Sequence, residues 1–312
     1  MISVLGSGVV GLCVATALHE AGHEIEVIAP EHSPPPPASW LAGGMLAPYC
    51  EGESAPEVIV ARGQSAVDWW AAHVPDVTRR GTLVLAAPRD AGELDRFARA
   101  TRGHGWVTPD ALEPAISGRF ARGLFFAAEA HLDPRAALTA LRMRLLAAGV
   151  AFRDGPARGR VVDCTGIAAR AALSDLRAVR GEMLELHAPD VTLTRSIRLL
   201  HPRFPVYIVP RGAGRYMVGA TMVESDDAGG ITARAVMELL SAAYTVHPGF
   251  AEGEVITTAA GLRPSFPNNL PAIRHVGDVI HVNGMYRHGF LMAPALALDL
   301  VSVLAKEPAH AH

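Results

Sequence analysis

The sequence predicts an α/β fold in which a dinucleotide-binding domain with a parallel sheet is interrupted by a second domain built on an antiparallel sheet. One observation behind this prediction is a glycine-rich turn between an apolar strand and an apolar helix at the start of the chain. The other is that two kinds of segment alternate along the remaining sequence. A chain of 312 residues also has room for two domains of ordinary size.

The first element is a strand, a glycine turn and a helix. The apolar strand at residues 2–5 enters a turn that contains Gly6, Gly8 and Gly11, and the apolar helix at residues 9–21 leaves it. Glycine permits the tight turn, the approach of a pyrophosphate to the backbone, and close contact between helix and strand. The unpaired N–H groups of the helix start attract the anion. In this context the motif predicts a Rossmann-like dinucleotide site, with a purely structural turn as the alternative.

Three stretches have the character of one discontinuous dinucleotide-binding domain, namely residues 1–76, 132–176 and 255–312. Between them, residues 77–131 and 177–254 carry short alternating strands, a hairpin signal and two helices. We therefore expect a Rossmann-like domain with an antiparallel-sheet α+β substrate domain inserted into it twice.

Composition excludes several functional classes. The formal net charge is only −3, so a polyanionic partner such as nucleic acid is not expected. The long apolar runs are interrupted by proline or charged residues, so no membrane span is expected. The sequence opens directly with the first strand, leaving no room for a signal peptide. Cys13, Cys50 and Cys164 lack metal-ligand spacing, so we expect buried thiols in the cytoplasm and no metal site.

Two loops favour a flavin over a nicotinamide. The second strand ends at Ala29 and Pro30, and Glu31 follows later than the acidic residue that usually binds the ribose hydroxyls of a nicotinamide cofactor. Either Glu31 or backbone groups could make that contact. A loop of small residues at 38–48 follows, and it suits close approach by a large planar ring. A glycine-bracketed turn at 283–294 leads into the last helix, whose N-terminus would stabilise the anion of a reduced flavin. The alternative is a simple turn before a core helix.

Seven motifs occur in one order: the N-terminal glycine turn, Ala-Gly-Gly-Met at 42–45, Cys-Thr-Gly at 164–166, Tyr-Ile-Val-Pro-Arg at 207–211, Val-Gly-Ala-Thr-Met at 218–222, Gly-Leu-Arg-Pro at 261–264 and Tyr-Arg-His-Gly at 286–289. In these motifs the chain resembles glycine oxidases of the thiamine-pathway type, within the D-amino-acid oxidase and sarcosine oxidase family of flavoproteins. The resemblance spans nearly the whole chain and is weakest over residues 50–130.

The resemblance implies noncovalent binding of FAD. A histidine at 288 departs from the family, in which asparagine is familiar at that place. The positions to which the resemblance and the glycine motif assign cofactor contacts are Gly6, Gly8, Val9, Val10, Gly11, Ala29, Pro30, Glu31, Ala38, Ser39, Gly43, Gly44, Met45, Thr165, Gly166, Met285, Tyr286, Arg287, His288, Gly289, Phe290 and Leu291.

For the substrate, the resemblance implies that Arg263 and Tyr207 hold a carboxylate, with Arg287 nearby and Met45 and Met222 as pocket walls. A guanidinium is a planar fork that matches a carboxylate. Alternatives stay open: Arg263 could form an ion pair with a protein carboxylate, Tyr207 could pack in a sheet, and the methionines could fill the core.

The implied activity is oxidation of glycine, sarcosine or D-alanine by hydride transfer to the flavin. The products would be glyoxylate or its imine, ammonia and hydrogen peroxide, with a role in thiazole synthesis for thiamine. The partners would be a small amino acid and dioxygen, and the resemblance implies a homotetramer. Rival interpretations are a D-amino-acid oxidase, a sarcosine oxidase, a flavin dehydrogenase with another electron acceptor, or a flavin-binding protein without turnover.

Overall fold

The computed structural model describes residues 1–29, 37–200 and 206–306, so the predicted contacts of Pro30 and Glu31 lie outside the described residues. The strands are β1 (Ile2–Leu5), β2 (Ile25–Ile28), β3 (Met45–Leu46), β4 (Thr82–Ala86), β5 (Gly105–Val107), β6 (Gly123–Phe126), β7 (Ala130–His131), β8 (Ala151–Arg153), β9 (Arg160–Asp163), β10 (Arg177–His187), β11 (Ser196–Leu200), β12 (Val206–Pro210), β13 (Arg215–Gly219), β14 (Val223–Glu224), β15 (Glu254–Ser265), β16 (Ala272–Val276) and β17 (Val279–Asn283). The α-helices are α1 (Val9–Glu20), α2 (Pro48–Glu51), α3 (Glu57–Gly63), α4 (Ala66–His73), α5 (Gly92–Ala100), α6 (Pro134–Ala147), α7 (Ala233–Val246) and α8 (Gly289–Lys306).

The first sheet is the predicted dinucleotide-binding sheet. It has six strands in the order β16-β17-β9-β1-β2-β8, and every neighbouring pair is parallel except β16 with β17. The chain leaves β1 through α1 to β2 on one side, while β9 lies on the other side of β1. The carboxyl ends of β1 and β9 therefore form a topological switch point, the place where open α/β sheets bind ligands.

The second sheet has nine strands. Eight follow the order β14-β10-β13-β12-β11-β4-β6-β5, and β15 pairs with β10. Its pairs are antiparallel, as predicted, except that β11 and β4 run parallel. A parallel pair is possible here because β4 and β11 are separated in the chain by more than 100 residues, so no tight hairpin joins them.

Strand β15 begins the last of the three segments assigned to the dinucleotide-binding domain, and it pairs along its length with β10 of the second sheet. The chain then continues through β16, β17 and α8 on the first sheet. The final segment thus joins the two sheets, and the residue boundaries of the two domains stay a prediction.

Asp133 directly before Pro134 is a helix-start signal in the sequence, and the structure confirms it. Asp133 caps α6 by accepting hydrogen bonds from the backbone N–H groups of Arg135 and Ala136, at 2.9 and 3.4 Å. Thr232 caps α7 in the same way through the N–H of Ala235. The hairpin between β12 and β13 turns at residues 211–214, where Ala213 has a left-handed φ of 50°.

The last helix begins at Gly289, as the sequence indicates, but Pro294 lies in its interior and not in its first turn, where the sequence predicts it. The missing N–H of Pro294 leaves the carbonyl of Phe290 without its helical partner. The indole Nε1 of Trp70, which is fully buried on α4, donates to that carbonyl oxygen at 2.7 Å. A neighbouring helix thus satisfies the group that the proline frees.

By length and composition alone, α8 is the one described helix that could cross a membrane. Half of it is buried, and it packs against α1, α3 and α4 in the core of the first domain. A core helix of a globular domain meets the same criterion, so the indication is weak.

Candidate active site

The start of α1 forms the first wall of the candidate site. Gly6 has a left-handed φ of 95°, and a Cβ atom at Gly11 would lie 1.9 Å from the carbonyl oxygen of Gly6. Gly8 precedes the helix without a side-chain cap. The N–H groups of the first helical turn have no partner within the helix, so they favour an anion. The N–H of Val9 donates to Oγ of Ser39 at 3.2 Å, which brings two predicted cofactor positions together.

The small-residue loop at 38–44 lies between the two sheets. A Cβ atom at Gly261 would lie 3.7 Å from Cα of Ala38, and one at Gly43 would lie 3.8 Å from Sδ of Met217. Gly44 has a left-handed φ of 69°, and a side chain there would meet the carbonyl of Leu132 at 2.2 Å. Glycine is therefore required at position 44, where the loop passes against the chain between β7 and α6.

Arg211 fixes that loop, a role that the sequence analysis missed. Its guanidinium donates to the carbonyl oxygens of Ala42 at 3.1 Å, Gly43 at 2.8 Å and Leu132 at 2.8 Å. Burial lowers the pKa of Arg211 to about 10. The hairpin of the second sheet therefore positions the loop of the first domain.

The carboxyl end of β9 contributes Thr165 and Gly166. The backbone N–H and the hydroxyl of Thr165 both donate to Oδ1 of Asp163, at 2.8 and 2.7 Å. The side-chain amide of Asn283 donates to the carbonyl of Gly166 at 2.8 Å. A Cβ atom at Gly166 would lie 3.8 Å from Pro264, so this segment borders the strand that carries Arg263.

The turn before α8 closes the site on the side of α1. Tyr286 has a left-handed φ of 50°, and its N–H donates to the carbonyl of Pro264 at 2.8 Å. A Cβ atom at Gly289 would lie 3.2 Å from Cγ1 of Val9, so the starts of α8 and α1 are adjacent. Six of the predicted cofactor positions have side chains buried in the core of the first domain, namely Val9, Val10, Ala29, Met285, Phe290 and Leu291. Those positions can reach a cofactor only through their backbone.

Arg263 projects from β15 into the space between the sheets. Its Nη1 donates to the carbonyl oxygen of Thr221 at 3.1 Å, and no described carboxylate pairs with it. Burial and, to a lesser extent, the positive charge of Arg287 lower the pKa of Arg263 to about 10. A guanidinium in these surroundings is free to bind an anion. This weighs against the alternative that Arg263 forms an ion pair with a protein carboxylate.

Tyr207, Arg287 and Met222 lie together next to Arg263. Nη2 of Arg287 donates to the hydroxyl of Tyr207 at 3.1 Å, and Nη1 contacts Sδ of Met222 at 3.5 Å. The hydroxyl of Tyr286 also contacts that sulfur at 3.5 Å. Burial raises the pKa of Tyr207, so its phenol stays protonated and keeps a hydrogen to donate.

Behind Arg287 lies a buried charge network that the sequence analysis did not identify. Oε2 of Glu51 is 2.7 Å from Nη2 of Arg287 and 3.4 Å from Nδ1 of His288. Arg198 is fully buried and pairs with Glu53 at 2.6 Å. Burial lowers the pKa of His288 to about 4, so its imidazole is neutral near pH 7. One signal was available, because Arg198 interrupts an apolar strand as Arg263 does.

Met45 has no described polar contact with these groups. It stands on β3 opposite His131 and packs against the apolar cluster that contains Cys50 and Phe97. Met222 is half-buried and adjoins both Arg287 and Tyr286, so it is the better placed of the two methionines to line a pocket.

The residues present fit a dinucleotide that carries a flavin. A helix start whose first N–H groups have no partner within the helix, a turn that requires glycine at positions 6 and 11 and a loop of small residues face the same space between the sheets. All three cysteines are buried and free. Within the described ranges, no three or more His, Cys, Asp or Glu side chains are grouped to hold a metal ion.

Comparison with known proteins gives the same result. The sequence model of the family described as FAD dependent oxidoreductase (DAO) matches residues 1–302. A Rhizobium etli protein provisionally named as the thiamine biosynthesis oxidoreductase ThiO is 53% identical over 98% of this chain and 97% of its own. The bifunctional protein ThiO/ThiG of a Nostoc species is 27% identical over the whole chain, which spans 54% of that relative.

Among solved structures, the glycine oxidase of Geobacillus kaustophilus superposes with a TM-score of 0.80 at 23% identity, covering 99% of this chain and 95% of the other. That likeness establishes the fold. The family match over nearly the full length agrees with the switch point, the glycine turn and the small-residue loop. The chain belongs to the DAO family of FAD-dependent oxidoreductases.

Proposed function

We propose that the protein oxidises glycine, and less readily sarcosine and D-alanine, with FAD as the bound cofactor and dioxygen as the final oxidant. Glycine, water and dioxygen would give glyoxylate, ammonia and hydrogen peroxide. The observation that carries this proposal is a half-buried guanidinium, Arg263, that lies between the two sheets without a carboxylate partner in the described part of the chain.

Arg263 and Tyr207 would bind the substrate carboxylate. The guanidinium offers two parallel N–H groups, and the Tyr207 hydroxyl accepts from Arg287, which leaves its own hydrogen for a carboxylate oxygen. Met222 would limit the space for a side chain on the α-carbon, because its sulfur contacts both Tyr286 and Arg287. These contacts favour a small amino acid.

FAD, when bound, supplies the acceptor for two electrons from the α-carbon. The groups around Arg263 are guanidinium, phenol and thioether groups, which orient an anion and do not take up a proton near pH 7. The substrate amine would therefore enter deprotonated, and catalysis would rest on the orientation that Arg263 and Tyr207 impose. A half-buried Arg263 binds a carboxylate more strongly than an exposed arginine would, because less water competes for it.

The names of the relatives support a place in thiamine synthesis. The Rhizobium etli relative is named for thiamine biosynthesis, and the Nostoc relative combines ThiO with ThiG in one chain. We extend the proposal to a role in forming the thiazole precursor, where the imine of glycine would be consumed before hydrolysis. A cytoplasmic location and a homotetramer are further parts of the proposal, and sedimentation of the purified holoprotein measures the latter.

The deciding experiment is anaerobic addition of glycine to the yellow holoprotein, followed by admission of air. We expect bleaching of the flavin absorbance by glycine, and then equal amounts of glyoxylate and hydrogen peroxide. Bleaching without peroxide would identify a dehydrogenase with another acceptor. A flavin that no small amine reduces would contradict the proposal and favour a binding protein.

A further inference from the structure

The two arginines next to the candidate substrate position have different surroundings. The described hydrogen bond of the Arg263 guanidinium goes to a neutral carbonyl, that of Thr221. Arg287, in contrast, is paired with Glu51 at 2.7 Å, and both side chains are largely buried, at 12% and 13% exposure. Only one of the two guanidinium charges is therefore compensated by the protein.

The positive charge of Arg198, a third arginine near these groups, is also compensated by protein carboxylates. Arg198 pairs with Glu53 at 2.6 Å and lies 3.9 Å from Glu51. His288 adjoins Glu51 but is neutral near pH 7, since burial lowers its pKa to about 4. Arg96 and Glu93 join this network through Glu53, so four guanidinium groups and three carboxylates leave one positive charge for a ligand. That charge belongs to Arg263, which has no acidic partner among the described residues.

We propose that Glu51 determines the charge of the substrate: by pairing with Arg287 it leaves Arg263 as the single anion-binding group, so the pocket selects amines with one carboxylate over amines with two. This inference rests on the proposed function and specifies the substrate class of the same site.

The physical reason is repulsion together with lost hydration. A second carboxylate next to Arg287 would also approach Glu51, because the two protein groups are 2.7 Å apart. Like charges brought together in a site that excludes water are strongly disfavoured. The second carboxylate would also lose its hydration without gaining a free cation.

Glu51→Gln tests this by removing the negative charge while keeping the size and a hydrogen-bonding oxygen. Acetate and malonate differ by one carboxylate, and their binding to the oxidised holoprotein is followed by the shift in flavin absorbance. We expect the wild type to bind acetate more tightly than malonate, and the variant to shift the ratio of dissociation constants toward malonate by about tenfold or more. Turnover of iminodiacetate relative to glycine should shift in the same direction.

Glu53→Gln is the matched control, because it removes the same charge from the same segment but contacts Arg198 and Arg96 and not Arg287. Its ratio should shift by less than that of Glu51→Gln, because Arg198 keeps Glu51 as a second carboxylate at 3.9 Å and Arg287 keeps its own partner. Glu51→Asp, which keeps the charge, should retain the preference for acetate.

If Glu51→Gln loses FAD, the double variant Glu51→Gln/Arg287→Gln removes one negative and one positive charge together, and it should show the wild-type ratio of dissociation constants.

Equal weakening of both ligands in Glu51→Gln would overturn the inference and leave Glu51 with a purely structural role. A wild type that binds malonate as tightly as acetate would also overturn it. Neither result touches the proposed function, which fails separately if glycine does not reduce the flavin of the wild type.

Discussion

The guanidinium of Arg263 occupies the space in which a side chain of Gly181 would stand. A Cβ atom built on Gly181 would lie 2.2 Å from Nη2 of Arg263 and 2.3 Å from its Cζ. The two residues lie on the paired strands β15 and β10, where Val179 is opposite Arg263. The absence of a side chain at Gly181 therefore allows the arginine to lie across β10 and reach the space between the sheets.

Gly181→Ala should displace the guanidinium, because the new methyl group cannot coexist with Arg263 in its present position. We expect the KM for glycine to rise by about tenfold or more, with FAD content unchanged, measured by steady-state kinetics and flavin absorbance. Gly105→Ala is the control, since a Cβ atom at that strand position would meet no atom within 4 Å. An unchanged KM in Gly181→Ala would show that the position of Arg263 does not govern binding.

Replacing Arg263 tests the carboxylate contact directly. Arg263→Ala should raise the KM for glycine by about 100-fold or more, and Arg263→Lys by less, since lysine keeps the charge but loses the planar fork. Both variants should retain the flavin spectrum. The comparison is Arg79→Ala, which removes an arginine that is 53% exposed on the surface. Turnover of glycine at the wild-type KM in Arg263→Ala would remove this residue from the site.

Arg211→Ala should weaken FAD binding, because three carbonyl groups of the loop at 42–44 and of Leu132 lose their common donor. Equilibrium dialysis of FAD against the apoprotein measures the effect, and we expect the dissociation constant to rise by about tenfold. Arg215→Ala, on the same hairpin, removes a half-exposed arginine that contacts Glu185 instead. Equal FAD affinity in the Arg211 and Arg215 variants would argue against a role in holding the loop.

The buried carboxyl of Glu129 should make the free energy of unfolding depend on pH. Burial raises the pKa of its carboxyl from the usual 4.5 to about 7. Between these values the unfolded chain has lost the proton that the folded protein keeps, so this group's contribution to the free energy of unfolding falls as pH rises from about 4.5 to 7. The fall is at most about 3 kcal/mol.

In the wild type, the N–H of Cys50 donates a hydrogen bond of 2.7 Å to Oε1 of Glu129. The variant Glu129→Gln keeps an oxygen that can accept this hydrogen bond but cannot ionise. Urea unfolding at several pH values should show the wild type losing stability relative to this variant as the pH rises. A stability difference that is the same at pH 5 and pH 8 would contradict the raised pKa.

The sequence predicted the features whose causes are local. The glycines at 6, 8 and 11 and the Asp133 cap act through bonds to residues a few positions away, so their spacing alone indicated their geometry. The hairpin before Arg215 was recognisable for the same reason. The fold class followed from these signals and was confirmed by the family match.

The features that were missed depend on long-range packing. Glu51 and Arg287 are 236 positions apart, and nothing near either one in the sequence indicates that they pair. The interior position of Pro294 was not predicted because Trp70, on a distant helix, satisfies the carbonyl that the proline frees. The catalytic and cofactor residues themselves stay predictions that the variants above test.

The adjacency of Val9 and Gly289 has a consequence for folding. The two residues are 280 positions apart, so the glycine turn meets the start of α8 only when distant segments of the chain have folded together. The strand, turn and helix at residues 2–20 can form through local contacts, but they provide only one wall of the site. Flavin binding therefore depends on contacts between residues that are far apart in sequence, and the glycine motif does not act as an independent binding unit.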